Sequence, residues 1–206
     1  MSTFICFQKD HCIHSKLSST FCGNRLLRDS KVYIYGAHNE NDVVISNITL
    51  KKLAVKFNDA SQAFLLFIIE YYHSFRDDES VFFIRDDDVI SDEKSLRDKA
   101  DLNVMKNIRN PYKKRHTSNI CGSYDCDFAK WLSEFVDPTL QEYFAKADKK
   151  KKIKGTSPFV IFCGNFVANG HTIRRRSLDS YRRILDSCSH LEYVTYAWFY
   201  ILNFHC

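Results

Sequence analysis

Glycine and proline are scarce in this chain, six and three in 206 residues. That scarcity excludes a collagen-like or low-complexity chain and leaves few tight turns. Long apolar runs are missing as well. No stretch approaches the roughly 18 consecutive apolar residues of a membrane-spanning helix. The longest candidate, Tyr193 to Phe204, reads as a buried terminal helix. Residues 1–30 carry charges and histidines at short intervals where a secretory signal would have an apolar segment. The expectation is a soluble, cytoplasmic protein with no membrane span. There is no Walker A loop, no Gly-rich dinucleotide turn and no nucleophile elbow. No internal repeat is visible.

Cysteine is present, at positions 6, 12, 22, 121, 126, 163, 188 and 206, but no metal or redox spacing goes with it. Cys6, His11, Cys12, His14 and Cys22 crowd the N-terminus without a C-x₂-C followed by a second pair. Cys121 and Cys126 are too far apart for a C-x-x-C pair. Free, mostly buried thiols in a reducing compartment are expected.

Aromatic residues, by contrast, are plentiful. With 17 Phe and 11 Tyr, the core must be bulky. Charged residues make up 27%, which is the balance of a globular chain rather than a disordered one. The net charge of +5 is mild. It suits a phosphate-bearing ligand and does not by itself argue for nucleic acid. The Lys149–Lys152 run has no aromatic residues interleaved, so it reads as a solvated loop.

Periodicity supplies the elements. Residues 1–30 read as an irregular N-terminal arm or one weak strand. Lys31 to Tyr35 alternates as a strand that ends at Gly36. Val43-Val44-Ile45 is a short or edge strand, and Lys52 to Phe57 a further one. Ala60, Phe64, Phe67, Ile68 and Tyr71 recur at helical spacing and predict a helix over 60–72. Val81 to Ile84 is a continuous apolar strand, a pattern that implies burial on both faces. Phe128, Trp131, Leu132, Phe135 and Val136 mark a helix broken near Pro138. Strands alternating with helices predict an α/β class, with residues 31–206 as a single layered domain. Its sheet is expected to be mainly parallel, or mixed, and flanked by helices.

Pro158 to Cys188 is the most informative stretch. Phe159 to Cys163 reads as a buried strand, Gly164-Asn165 as a turn, and residues from His171 onward as one amphipathic helix. Ile173, Ser177, Leu178, Tyr181, Ile184, Leu185 and Cys188 repeat at helical spacing on one face. Arg174, Arg175, Arg176, Arg182 and Arg183 mostly take the other side. A buried strand feeding a basic helix through a Gly/Asn turn is either a ligand site or simply a core strand and a solvated helix.

The Val81 strand runs straight into Arg85-Asp86-Asp87-Asp88. Asp86 and Asp88 form an Asp-x-Asp, and hard divalent cations such as Mn or Mg take carboxylate oxygens. Nucleotide-sugar glycosyltransferases hold a metal on a diphosphate with that arrangement. In the alternative the carboxylates fan into solvent. His171 and Glu192 are candidate acid/base groups.

Three blocks together resemble a domain of unknown function found mainly in fungal and bacterial proteins, one with the look of a nucleotide-sugar glycosyltransferase. The first is Ala63 to Tyr72 followed by Val81-Phe82-Phe83. The second is Gly164-Asn165-Phe166-Val167-Ala168, then Ile173 and Tyr181 to Leu185. The third is Trp198 to Leu202. Several polar positions depart from the family. Asn58-Asp59-Ala60 stands where the family has Gly-Arg-Glu, and Thr195-Tyr196 where it has Glu-Arg, unless one gap brings Glu192 there. His38-Asn39-Glu40 echoes the family's Tyr-Asn-Glu at a different place. The resemblance implies a glycosyltransferase-A-like fold and binding of a nucleotide sugar. It makes Asp86 and Asp88 metal ligands, has Asn165 line the sugar pocket, lets Arg174, Arg175 and Arg176 supply positive charge, and gives Glu192 the catalytic role. The competing expectation is a catalytically degenerate binding or structural protein on the same frame, since apolar patterns outlast polar sites.

Overall fold

A computed structural model describes residues 2–8, 29–36, 43–45, 48–52, 60–85, 106–107, 130–140, 142, 166–187 and 191–203. Its strands are β1 (Ser2–Gln8), β2 (Lys31–Gly36), β3 (Val43–Ile45), β4 (Ile48–Lys52), β5 (Ser80–Ile84), β6 (Lys106–Asn107) and β7 (Phe166–Asn169). All seven join one sheet in the order β3-β4-β2-β1-β5-β7-β6. The four strands β4-β2-β1-β5 are parallel. Antiparallel strands flank them: β3 on β4 at one end, β7 on β5 at the other, with β6 antiparallel to β7. The chain is therefore α/β with a mixed sheet. Among the described residues no helix is long and apolar enough to cross a membrane.

Burial follows the apolar patterns. Val81, Phe82, Phe83 and Ile84 are all fully buried, as their unbroken run implies. On one face Phe82 stacks on Phe4 of β1, ring centroids 4.5 Å apart. On the other face Phe83 stacks on Phe166 of β7 at 4.6 Å. The second face carries α1 (Ala60–Tyr71), the helix that the 60–72 spacing predicts. Phe64 meets Phe83 and Phe166 edge-on, at 5.2 and 5.9 Å. Phe67 packs against Tyr33, Tyr71 and Phe75. Edge-to-face and offset pairs of this kind add to the area they bury.

Ser61, Gln62 and Leu65 on the far side of α1 are buried too. Two later helices cover them, α3 (Leu178–Asp186) and α4 (Leu191–Asn203). Ser61 Oγ and Thr195 Oγ1 share a hydrogen bond of 2.8 Å across the α1–α4 contact. The shared bond gives each buried hydroxyl a polar partner, one donating and the other accepting. Trp198 of α4 reaches the sheet beside α1, its ring 5.1 Å from that of Phe166.

The structure differs from the sequence reading in four places. Ser2–Gln8, in the segment read as an arm or one weak strand, is the strand at the centre of the parallel block. Ile48–Lys52, given no element in the sequence reading, is a strand, and of the strand read at Lys52–Phe57 residues 53–57 are outside the described set. Phe166–Asn169, read as a passage between turn and helix, is strand β7, while Phe159–Cys163 lies outside the described residues. The single helix read from His171 is two: α2 (Gly170–Arg174) and α3, separated by Arg175-Arg176-Ser177. Ser177 breaks the run because its hydroxyl caps the second helix, accepting from Ser180 N at 3.3 Å. The helix read from Phe128 is described from Lys130, and it ends in a π turn, Leu132–Val136, ahead of Pro138.

Phe67 tests the α1–sheet packing. Phe67→Ala removes a ring with only 1% exposure and is expected to cost about 3–5 kcal/mol in urea unfolding. Phe67→Leu keeps most of the volume and is expected to cost less than about 1.5 kcal/mol.

Candidate functional site

Strand order selects one edge of the sheet. From β1 the chain builds outward through β2 to β4, then returns to lay β5 on the opposite side of β1. The order reverses between β1 and β5. In an open α/β sheet, ligands sit beyond the carboxyl ends of the strands at such a reversal. Strand β5 ends there at Ile84, and the exposed Arg85 follows. The next residues in the chain are Asp86, Asp87 and Asp88. Asp86 and Asp88 themselves lie outside the described residues.

The antiparallel register of β7 brings a second segment to the same edge. Phe166 pairs with Phe83, Val167 with Phe82, Ala168 with Val81 and Asn169 with Ser80. The start of β7 is thus beside the end of β5. The residue before Phe166 is Asn165, also outside the described set. The described strands therefore converge, from both sides, on the chain positions leading to Asp86–Asp88 and to Asn165.

The same reversal sends the basic helix to the other edge. Asn169 faces Ser80, the first residue of β5, so α2 begins at the amino end of that strand. Five steps of a strand, Ser80 to Arg85, span roughly 16 Å. Asn169 caps α2, its Oδ1 accepting from Thr172 N at 2.7 Å. Gly170 donates its amide to Glu79 O at 3.0 Å. A Cβ at this position would lie 2.0 Å from the Arg76 carbonyl oxygen, so only glycine permits the approach. The turn Arg76–Glu79 closes on itself through Glu79 N to Arg76 O, 3.1 Å.

The three arginines read together as one basic group do three different things. Arg174, half-buried, donates from Nη2 to Asp77 Oδ1 at this amino edge. His171 Nδ1 lies 3.8 Å from the same oxygen. Arg175 is exposed. Arg176 is 3% exposed. Its Nε donates to Ile201 O and its Nη1 to Val136 O, both at 2.8 Å. Ile201 is in the last turn of α4 and Val136 ends the π turn, so one guanidinium caps two helix ends. Terminal carbonyls lack intrahelical donors and carry partial negative charge, which a buried cation with a forked donor set can satisfy.

Two tyrosines fix the backbone that carries Arg176. Tyr72 Oη donates to Arg176 O at 2.7 Å and also reaches Arg174 O at 3.2 Å. Tyr181 Oη, fully buried, donates to Ile173 O at 2.9 Å. Burial pushes the Tyr181 hydroxyl pKa well above the ordinary tyrosine value, against a downward pull from Arg176. Tyr33 rises to about 12, from burial first and then from the charge and hydrogen bond of Tyr71.

Glu192 is on the first turn of α4, six residues ahead of Trp198. Helical spacing alone could not reveal the role of Arg176. The available signal was the Arg-Arg-Arg-Ser order, in which Ser177 is a capping residue that stops the helix and frees Arg176 to turn inward. Among the described residues no group of three His, Cys, Asp or Glu is placed to hold a metal ion. Comparison with known proteins found no matching family model, no similar curated protein and no similar solved structure.

Different roles for the arginines predict different losses. Arg176→Met leaves two terminal carbonyls without donors and is expected to cost on the order of 2–4 kcal/mol in denaturant unfolding. Arg174→Ala removes a pair with an exposed carboxylate and is expected to cost less than about 1 kcal/mol.

The tyrosines predict an alkaline limit. A folded-state pKa above the unfolded value of 10.0 means the native state holds the proton more tightly. That stability is fully present below about pH 10 and is lost as pH rises past it. A tyrosinate absorbance titration is expected to show Tyr181 ionising only with unfolding. Tyr181→Phe should flatten the decline above pH 10 and cost about 0.5–1.5 kcal/mol at neutral pH.

Proposed function

We propose that the chain is a glycosyltransferase-A-like protein that binds a nucleotide sugar through a divalent metal at the carboxyl edge of the sheet. The observation that carries this is topological. Strand β5 leaves the sheet at the reversal of strand order, and an Asp-x-Asp follows it by one residue. Support also comes from the β5–β7 register, which starts β7, and with it the chain after Asn165, at that edge.

The donor set suits the metal. Asp86 and Asp88 offer carboxylate oxygens, the ligands that Mn and Mg prefer. A bound divalent ion would neutralise the diphosphate of the donor and stabilise it as a leaving group. Close carboxylates repel one another until a cation is present, so Asp86 and Asp88 favour a divalent ion over an empty state. The Asn165 amide would orient the sugar by donating to and accepting from its hydroxyls. Glu192 would take the proton of the acceptor hydroxyl as it attacks the sugar carbon. Arg174 and Arg176 have no part in this site, since their guanidinium groups are engaged by Asp77 and by helix-end carbonyls.

That engagement is also the observation that favours the competing reading, a catalytically degenerate binding or structural protein on the same frame. Of the cations the sequence offered to a diphosphate, Arg176 is buried on two helix-end carbonyls and Arg174 is paired with Asp77.

Isothermal titration with a panel of nucleoside diphosphates, with and without manganese, separates the two. Metal-dependent binding that weakens about tenfold or more, roughly 1.4 kcal/mol, in both Asp86→Asn and Asp88→Asn is expected of the enzyme. Binding to none of them, or affinity unchanged from the parent chain in both variants, removes the metal site and leaves the degenerate frame.

A further inference from the structure

We draw no further inference here: the strongest candidate, the cationic stretch Arg109–Arg115 that comes after strand β6 in the chain, lies outside the described residues, and nothing in the structure shows what it faces.

Discussion

Phe83 and Phe166 lie side by side across the β5–β7 pair, ring centroids 4.6 Å apart. Phe64 and Trp198 close over them from α1 and α4, each within about 6 Å of both rings. This aromatic contact pins an antiparallel strand to the end of a parallel block. A shift of one residue would turn Phe166 to the other face and Val167 into its place, and both faces are fully buried. The register is thus strongly specified, and what stands at each edge of the sheet follows from it. The start of β7 is at the carboxyl end of β5, and the basic helix is at the amino end.

At the amino edge the sequence is occupied with holding elements together. Gly170 lets the start of α2 press against the Arg76 carbonyl. Arg174 pairs with Asp77, and Arg176 joins α4 to the π turn through two carbonyls. Tyr72 and Tyr181 anchor the intervening backbone. Such a buried cation is costly to desolvate and remains only because every contact shown for it is a well-formed hydrogen bond. It gives rigidity in exchange for a charge that a ligand could have used. The carboxyl edge, by comparison, is where the described strands deliver Arg85 and Phe166, each next to a polar residue of a kind that binds metals or sugars.

Apolar pattern carried most of the fold's legibility. Helix α1, strands β2 and β5, and α4 were readable because their large side chains recur at the period of the element. Ser2–Gln8 was harder to read, since its apolar run, Phe4 to Phe7, is only four residues long and is followed by a polar, His-rich segment, although the strand is central. The direction of β7 was not legible at all. Nothing in Phe-Val-Ala-Asn states whether a strand runs with or against its neighbour, because pairing partner and direction are long-range properties. An assumed parallel strand would have put the arginines and the aspartates on one edge; the antiparallel one separates them. Arg176 shows the same limit at the scale of one side chain. Its place in a basic run suggests solvent, and its burial depends on carbonyls 25 and 40 residues away.

The proposed metal and nucleotide site is at the carboxyl end of β5 and not at the basic helix. Manganese broadens amide resonances near it through its unpaired electrons, so backbone NMR of the isotope-labelled protein reads the position directly. With manganese and a nucleoside diphosphate added, the amides of Ile84, Arg85 and Phe166 are expected to broaden first. Those of Asp77, His171 and Arg174, beyond the amino end of a strand that spans roughly 16 Å, should broaden much less at the same sub-stoichiometric metal concentration, because the effect falls steeply with distance. Broadening centred on Asp77 and His171, with Ile84 and Phe166 unaffected, would contradict it.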